Sequence, residues 1–557
     1  MRRSGARLSA AWLYPALVGL CLLLYLPGQA TIPVLDRDEA RFAQATRQML
    51  ETGDFLHIRF QDEARNNKPA GIYWLQAAAV SAFSTPLSDA IWPYRLPSLI
   101  GATLAVLLLF AFGRALCADA AEPTTVAFLA AVLLATALGV VAEAHIAKTD
   151  AMLLAAATAG QGALGLAYLR ARQGRRVALW IAAAFWAAEI AAMMIKGPIG
   201  PGLAVLTAAT LALADRDVRW LAGLRPALGL AALIAAVAPW LFAVEHATHG
   251  RFLAASLGHD FLGKVTGAED AHGAPPLFYL LLAFVTFWPG SLLLVPAVLR
   301  GWRRRAAATE RFLLAWLLPG WIVLELVPTK LPHYVLPLYP ALALLAAAAL
   351  AEGTRHVAGG WPRRAELAAT GLWAAVGLAL AAALIAAPLR FGSGPAIVDM
   401  AGAVVVIGIS AVLLRGRFAA IATTGSLAAL SLAFVVPAAT GVLPGLDRLW
   451  LSRAAATLAR QHPPAAGAPL VAIGYSEPSL VFLLGGEPRL LPPQAAAAAL
   501  RQGGEALVSN RDEAMFRDRL AAAGCAIRRL GSVSGLDYSN GRRLVLTLYA
   551  VSPGPPR

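Results

Sequence analysis

Residues 96–116 read LPSLIGATLAVLLLFAFGRAL, with Arg114 as the one charged residue among them. An apolar run of about 20 residues is long enough to cross the hydrocarbon core of a bilayer as a helix. Comparable runs recur along the 557 residues, of which 59% are hydrophobic and 14% charged, and the mean hydropathy is +0.64. Soluble domains carry about 25% charged residues. The sequence therefore predicts an α-helical polytopic membrane protein.

The apolar runs predict about thirteen transmembrane helices. These spans are 9–29, 96–116, 123–141, 150–170, 177–194, 197–214, 225–244, 276–299, 311–327, 333–352, 366–388, 397–415 and 418–438. Arginine-rich connections between spans stay on the cytoplasmic side of a membrane. With a cytoplasmic N-terminus, all short arginine-rich connections fall on that one side. The arginines concerned are Arg114, Arg170, Arg172, Arg175, Arg176, Arg216, Arg219, Arg225, Arg300, Arg303, Arg304, Arg305, Arg355, Arg363, Arg364, Arg415 and Arg417.

This distribution also explains the net charge of +15 without a nucleic acid. A nucleic-acid-binding protein gathers its basic residues on one face, with aromatic residues between them. Here the basic residues are spread over short connections, so we expect no nucleic acid partner.

Two domains follow from the change of composition near residue 440. Residues 1–440 form the predicted transmembrane domain, with outer loops at 30–95 and 245–275. Residues 441–557 alternate short strand-like and helical runs, which is typical of a small α/β domain. Under the predicted topology this C-terminal domain is periplasmic.

The first outer loop contains two predicted helices. Residues 36–52 begin with acidic residues and stop at Gly53, and a second helix starts at Pro69. Both are too short or too polar to span a bilayer, so we expect them to lie in the membrane interface. They would cover a cavity open to lipid, although they could instead only brace the bundle.

Ionisable residues stand at the predicted outer ends of helices: Lys68, Asp150, Lys196 and Lys330. A charge inside a span costs roughly 2.5–3.5 kcal/mol, so each one needs a reason. One lysine alone could simply extend its ammonium group to the interface. Together with Arg41 and the nearby carboxylates they favour a polar site for a phosphate. Cations would stabilise a departing lipid phosphate, and a carboxylate would deprotonate an acceptor.

At these residues the chain resembles a known family. Residues 36–54 (DRDEARFAQATRQMLETGD) are similar to the first-loop signature of bacterial aminoarabinose transferases and protein O-mannosyltransferase-like enzymes, grouped as glycosyltransferase family 39 and its relatives. Four further blocks follow in the family's order: NKPAGIYWL (67–75), HIAKTDAML (145–153), MMIKGPIGPG (193–202) and KLPHYVLPLYPALALL (330–345). The resemblance covers about residues 9–350 and, more loosely, the tail.

The resemblance implies a GT-C membrane fold and transfer of a sugar from a polyprenyl (undecaprenyl-type) phosphate, with inversion at C1. Asp38 falls on the essential first-loop aspartate, the candidate for the base or for acceptor positioning, with Glu39 beside it, and Asp150 falls on the second functional acid. The resemblance thus implies these three acids as the catalytic residues. The positions associated with the donor phosphate are Arg41, Lys68, Lys196, Lys330 and Tyr334. His272 resembles a histidine of the large outer loop that contacts substrate or metal.

One position departs from the aminoarabinose transferases. They usually carry a glutamate, tied to a metal site, directly before the lysine that matches Lys68, and this chain has Asn67. Zinc requires three or four protein ligands, and His272 alone does not supply them. We therefore predict no metal or other cofactor, with a divalent metal left open, and aminoarabinose specificity is in doubt.

The predicted function is thus a glycosyltransferase of the bacterial inner membrane, working on its periplasmic face. Its partners would be the polyprenyl-phosphate sugar, membrane lipid and an acceptor. Lipid A, another glycolipid, a polysaccharide and a protein hydroxyl all remain open as acceptors. The alternatives are a transporter or flippase of a lipid-linked sugar, and a non-catalytic scaffold. A transporter favours broken helices and related halves, and the sequence has no visible repeat.

Overall fold

The computed structural model describes residues 10–66, 68–256, 275–353, 360–415, 419–465, 467–486 and 488–553. Helices make up most of these residues, and one mixed sheet lies near the C-terminal end. The helices are α1 Ala10–Tyr25, α2 Asp38–Thr52, α3 Gly71–Phe83, α4 Trp92–Leu116, α5 Pro123–Thr136, α6 Leu138–Ala144, α7 Asp150–Arg172, α8 Leu179–Lys196, α9 Ile199–Asp215, α10 Pro226–Ala247, α11 Arg251–Leu253, α12 Phe278–Thr286, α13 Leu294–Arg303, α14 Ala308–Leu326, α15 Tyr339–Ala351, α16 Gly360–Phe391, α17 Ile397–Arg415, α18 Ala420–Pro437, α19 Leu451–Gln461, α20 Pro478–Leu483, α21 Pro493–Ala499 and α22 Glu513–Ala522. The strands are β1 Arg59–Phe60, β2 Glu63–Ala64, β3 Leu470–Ile473, β4 Arg489–Leu490, β5 Gly504–Ser509, β6 Ala526–Asp537 and β7 Arg542–Ser552.

The helical bundle has the composition of a multi-pass membrane protein. Among the described residues, eight helices are long and apolar enough to cross a membrane, or nine if the bent pair α5–α6 counts as one span. The two halves of that pair meet at an angle of 61°. The prediction of a polytopic membrane protein is therefore confirmed.

The predicted number of thirteen spans is not confirmed, although a helix lies in each of the thirteen ranges. Helices α1 and α9 have only 16 and 17 residues. A 3-10 turn at Gly290–Leu293 separates α12 from α13. Helix α14 includes Glu310, Arg311 and Glu325, which lowers its apolar character. Short, broken and charged helices blur the count, so the number of crossings stays a prediction.

Helix α7 lies in the middle of the bundle and is buried along almost its whole length. It packs against α4 and α8. A Cβ atom at Gly101 of α4 would lie 2.7 Å from the backbone nitrogen of Met152 in α7. Only glycine therefore allows α4 to approach this closely, and the contact holds the N-terminal turn of α7 in place.

The two predicted helices of the first outer loop are present as α2 and α3, and they pack side by side. The rings of Phe42 and Tyr73 stack with their centroids 5.1 Å apart. Nearby, the Thr46 hydroxyl donates a 2.8 Å hydrogen bond to the side chain of Gln76. Phe42 and Met49 are buried on one face of α2. These contacts form one small core that also includes Trp240 of α10.

The C-terminal part is a small α/β unit, as predicted. Its sheet has the order β4-β3-β5-β7-β6, with β3 parallel to β4 and β5, and β7 antiparallel to β5 and β6. Alternate residues of a strand point to opposite faces. Leu546 and Leu548 of β7 accordingly pack with α19, while Tyr549 packs with Phe516 of α22. Both faces of the sheet are thus covered by helices.

This C-terminal unit packs on the first outer loop. The Arg47 guanidinium of α2 donates to the Phe482 carbonyl at 2.5 Å and lies 4.3 Å from the centre of that residue's ring. The Gln61 amide donates to the Pro488 carbonyl at 2.7 Å. The C-terminal unit is therefore joined to the segment that carries the predicted site.

Several ion pairs lie at the end of the bundle that is opposite to the start of α7, and we call it the arginine end. Asp215, the last residue of α9, pairs with Arg311 and lies 3.6 Å from Arg172. Arg300 pairs with Glu310 at 3.0 Å and with Glu352 at 2.6 Å. These residues join the ends of α7, α9, α13, α14 and α15.

Candidate active site

The first turn of α7, the last turn of α8 and the 3-10 segment Pro332–Leu338 meet around Asp150. Asp150 pairs with Lys196, and the same oxygen lies 3.7 Å from Nε2 of His333. Its other oxygen lies 3.7 Å from Nζ of Lys148. All four side chains are largely buried. The structure thus brings together two residues that the sequence predicted separately, Asp150 and Lys196.

Lys148 links this group to a second carboxylate. Its ammonium lies 2.9 Å from Oε1 of Glu143 and donates to Nδ1 of His333 at 3.1 Å. Buried charges cost several kcal/mol each unless they are paired. The alternation of Glu143, Lys148, Asp150 and Lys196 satisfies that requirement, and the four form a compact buried charge cluster with His333.

Three residues of this cluster, Lys148, Glu143 and His333, were not predicted from the sequence. Lys148 and His333 lie inside two of the quoted blocks, HIAKTDAML and KLPHYVLPLYPALALL. Their closeness to Asp150 could not be predicted from the sequence, because it depends on the packing of segments that are distant in the chain. Glu143 lies in the last turn of α6, which bends away from α5, and no local pattern marks it.

Three other predicted donor residues lie near the buried charge cluster, two of them by their contacts and one by its place in the chain. The ring of Tyr334 faces Lys196, whose ammonium lies 5.2 Å from the ring centre, a cation–π contact. Lys68, between α2 and α3, is close enough to His333 to interact with it electrostatically. Lys330 is buried and lies three residues before His333 on the same segment.

Asp38 stands at the exposed side of this group. It is the first residue of α2, and 57% of its side chain is exposed. One oxygen lies 3.8 Å from the Arg65 guanidinium, and the carboxylate interacts electrostatically with Arg41 and Lys148. Burial lowers the pKa of Arg41, and the neighbouring Arg65 lowers it further. Crowded cations of this kind favour the binding of an anion.

Glu39 is placed differently from its neighbour. It is fully buried, and both of its oxygens accept hydrogen bonds from Arg95 at 2.8 Å. The backbone nitrogens of Leu35 and Ala147 donate to it as well, each at 2.8 Å. The four hydrogen bonds connect the segment directly before α2, helix α4 and the turn that carries Lys148. Within this structure Glu39 therefore positions other residues, and its oxygens face no open space.

We expect the substitution Glu39→Gln to destabilise the protein. Breaking a buried ion pair leaves the charge of Arg95 without its partner, at a cost of about 3–5 kcal/mol. Thermal unfolding of the purified protein in detergent measures the change. Asp38→Asn is the matched control, because that side chain is exposed and its unfolding temperature should stay close to the wild-type value. Equal unfolding temperatures for the wild type and Glu39→Gln would contradict the positioning role.

Two predicted residues, Asn67 and His272, lie outside the described residues. Among those that the structure does describe, no group of three or more His, Cys, Asp and Glu could hold a metal ion. No step of the chemistry below is assigned to a metal.

The C-terminal unit also contacts the residues directly before Asp38. Ser479 donates to the Asp36 carboxylate, the Asp36 backbone donates to the Tyr538 hydroxyl at 2.7 Å, and Arg37 donates to the Ser539 carbonyl at 2.5 Å. Burial raises the pKa of Asp36 to about 6. Burial and the nearby Asp36 raise the pKa of Glu477 to about 7.

These raised pKa values predict that the contact weakens as pH rises. An acid whose pKa is higher in the folded state stabilises that state at low pH, and the effect is lost as pH rises through the folded pKa. The loss should therefore begin near the ordinary pKa of these acids, at about pH 4, and be complete by about pH 7. Glu477→Gln mimics the protonated acid, so it should unfold at a higher temperature than the wild type at about pH 8 and at a similar one at about pH 4. A temperature difference that does not change with pH would contradict the assignment.

Comparisons with known proteins show what this chain is similar to. Residues 10–225 match the model of the dolichyl-phosphate-mannose-protein mannosyltransferase family. The undecaprenyl phosphate-alpha-4-amino-4-deoxy-L-arabinose arabinosyl transferase 2 of Pseudomonas fluorescens (strain Pf0-1) is 30% identical over 62% of this chain and 61% of its own length. The corresponding transferase of Pseudomonas aeruginosa (strain UCBPP-PA14) is 30% identical over 57% of this chain and 56% of its own length. The chain thus spans about three fifths of the length of the curated relatives it matches.

The fold comparison covers nearly the whole chain. The crystal structure of ArnT from Cupriavidus metallidurans bound to undecaprenyl phosphate superposes with a TM-score of 0.73 at 19% identity, over 97% of this chain and 98% of that one. The chain has an ArnT-like GT-C fold. The oligosaccharyltransferase of Archaeoglobus fulgidus is more distant, with a TM-score of 0.54 at 12% identity, over 94% of this chain and 70% of that one.

The resemblance seen in the sequence and the predicted fold class are therefore confirmed. The likeness to ArnT concerns the fold. The roles of Asp38, Asp150 and the lysines in this GT-C chain stay predictions.

Proposed function

We propose that this chain is an inverting glycosyltransferase that moves a sugar from a polyprenyl phosphate to a hydroxyl acceptor. One observation carries the proposal. The Asp38 carboxylate of α2, which has open space beside it, stands next to the buried charge cluster. That cluster is built from α6, the turn before α7, α7, α8 and the segment 332–338. The relatives are named undecaprenyl phosphate-alpha-4-amino-4-deoxy-L-arabinose arabinosyl transferases, which points the same way.

The cations suit the phosphate of the donor. Lys68, Lys196 and Lys330 would surround it, with Arg41 and Tyr334 at the edge of the site. When the bond between the sugar and the phosphate breaks, negative charge increases on the departing phosphate oxygen. Ammonium groups already held in place stabilise that charge more in the transition state than in the ground state. Lysine and arginine together thus favour departure of the lipid phosphate.

The two aspartates, Asp38 and Asp150, would have different roles because their side chains differ in exposure to solvent. Asp38 is open to an incoming acceptor, so it would accept the hydroxyl proton while the acceptor oxygen attacks C1 of the sugar. Attack opposite to the departing phosphate inverts the configuration at C1. Asp150 is buried and bound to Lys196, so it would hold the lysines in place. Glu39 would position the segment before α2 and the turn before α7, rather than act on the substrate.

The same arrangement suggests which side of the membrane is used. The buried charge cluster and the arginine end lie at opposite ends of α7, since Asp150 begins that helix and Arg172 ends it. Arginine-rich connections remain in the cytoplasm. The site would therefore face the periplasm, with the N-terminus in the cytoplasm and the C-terminal unit in the periplasm of a bacterial inner-membrane protein.

A reconstituted assay tests the proposal. The purified full chain in lipid vesicles is given radiolabelled undecaprenyl-phosphate sugars together with a glycolipid, a polysaccharide or a protein acceptor. We expect the label to move from the polyprenyl phosphate to one acceptor class, with the opposite anomeric configuration in the product. Movement of intact labelled lipid across the vesicle membrane without transfer would instead support a flippase.

A further inference from the structure

A groove of about 700 Å³ lies at the arginine end, away from the candidate active site. One face of α14 forms its long wall, including Leu314, Leu318 and Ile322. The groove also includes residues near the ends of α9 and α13, where Trp302 and Arg305 close its polar end. Ligand sites in proteins commonly have this volume and a mostly apolar lining with a few polar groups.

The length of the groove fits one membrane leaflet. Its residues on α14 run from Arg311 to Val323 and recur every three or four positions, so they lie on one face of the helix. A helix rises about 1.5 Å per residue, so this face is about 18 Å long. Half of the hydrocarbon core measures about 15 Å. The groove is therefore long enough for the upper part of a lipid and its acyl chain in a single leaflet.

The charges show which end would hold a head group. Arg305 is exposed; its guanidinium donates to the Trp302 carbonyl at 2.8 Å and lies 4.8 Å from the centre of the Trp302 ring. Within the described part of the chain, Arg305 makes no ion pair with an acidic side chain, whereas its neighbour Arg304 is paired with Glu352 and Arg311 with Asp215. A tryptophan beside an arginine is typical of the membrane interface.

We propose that this groove binds an anionic diacyl phospholipid. The phosphate would pair with Arg305 beside Trp302, and one acyl chain would lie along the apolar face of α14. Basic pockets between transmembrane helices on the cytoplasmic side bind lipids of this class. The inference is independent of the proposed function, because the groove and the buried charge cluster are at opposite ends of the bundle.

Native mass spectrometry of the full chain in detergent tests the proposal. The protein is titrated with phosphatidylglycerol or with phosphatidylcholine of the same acyl chains. We expect phosphatidylglycerol to bind about five times more tightly, the difference expected for one arginine near a lipid phosphate. Arg305→Gln should remove this preference, while Arg303→Gln, which changes a neighbouring exposed arginine outside the groove, should retain it.

A second variant tests the apolar wall. Leu318→Trp should fill the groove and weaken the binding of both lipids, whereas the wild-type thermal unfolding temperature should be retained. Equal affinity of the wild-type protein for the two lipids would overturn the proposal, as would equal effects of Arg305→Gln and Arg303→Gln. If undecaprenyl phosphate shows the dependence on Arg305 and phosphatidylglycerol does not, the carrier lipid is the occupant and the proposal is wrong.

Discussion

Asp38→Asn is expected to abolish sugar transfer while leaving the protein folded. A general base contributes about 10²- to 10⁴-fold to a rate, and an amide cannot accept the proton of the acceptor hydroxyl. The substitution preserves the size of the side chain, and 57% of that side chain is exposed, so the fold should tolerate it. The rate of transfer in the vesicle assay, measured with saturating donor, gives the effect. Binding of the donor should change little, because the donor phosphate is assigned to the lysines.

Asp62→Asn is the matched control for this experiment. Asp62 is an exposed carboxylate of the same outer loop, in the turn between β1 and β2. Its substitution should leave the transfer rate within a factor of about two, since surface changes away from a site have small effects. Transfer by Asp38→Asn at the wild-type rate would remove Asp38 as the base. Loss of transfer in both variants would indicate damage to the loop instead of the chemistry.

The helices of this fold could largely be predicted because their signals are local. Apolar runs, the proline before α3 and the glycine after α2 each act within a few residues. The same holds for the C-terminal strands, where the leucines at alternate positions of β7 share one face of the sheet. The number of membrane crossings was harder to predict from the sequence. It depends on how charges such as those of α14 are matched by other helices, and that information is not local.

The site illustrates the same limit at the level of single residues. Asp38 and Glu39 are adjacent acids at one helix start, and nothing in their immediate sequence separates them. The fold separates them by bringing Arg95 against Glu39 and open space against Asp38. Lys148 and His333 likewise join the buried charge cluster through segments 185 positions apart in the chain. Their contribution became evident only from the packed structure.

Replacing Lys196 by Met is expected to remove transfer and to destabilise the protein at the same time. Met keeps the apolar stem of the side chain and removes the ammonium that pairs with Asp150. A fully unpaired buried carboxylate costs about 3–5 kcal/mol, and the cost here should be smaller because Lys148 still lies 3.7 Å from the other oxygen of Asp150. Loss of one cation at the departing phosphate should lower the transfer rate by about 10²- to 10³-fold, as for other groups that stabilise charge in a transition state. Transfer rate and unfolding temperature are both measured.

The double variant Lys196→Met with Asp150→Asn separates these two effects. With both charges removed, the buried charge cluster still contains the pair of Lys148 with Glu143, so most of the lost stability should return. Transfer should stay low, because the cation assigned to the donor phosphate is still missing. Recovery of transfer together with stability would show that Lys196 serves only to neutralise Asp150. If Lys196 acts at the phosphate, the double variant should be stable and should not transfer the sugar. The single variant Lys196→Arg, which keeps the charge in a side chain of different shape, should then retain part of the wild-type transfer rate.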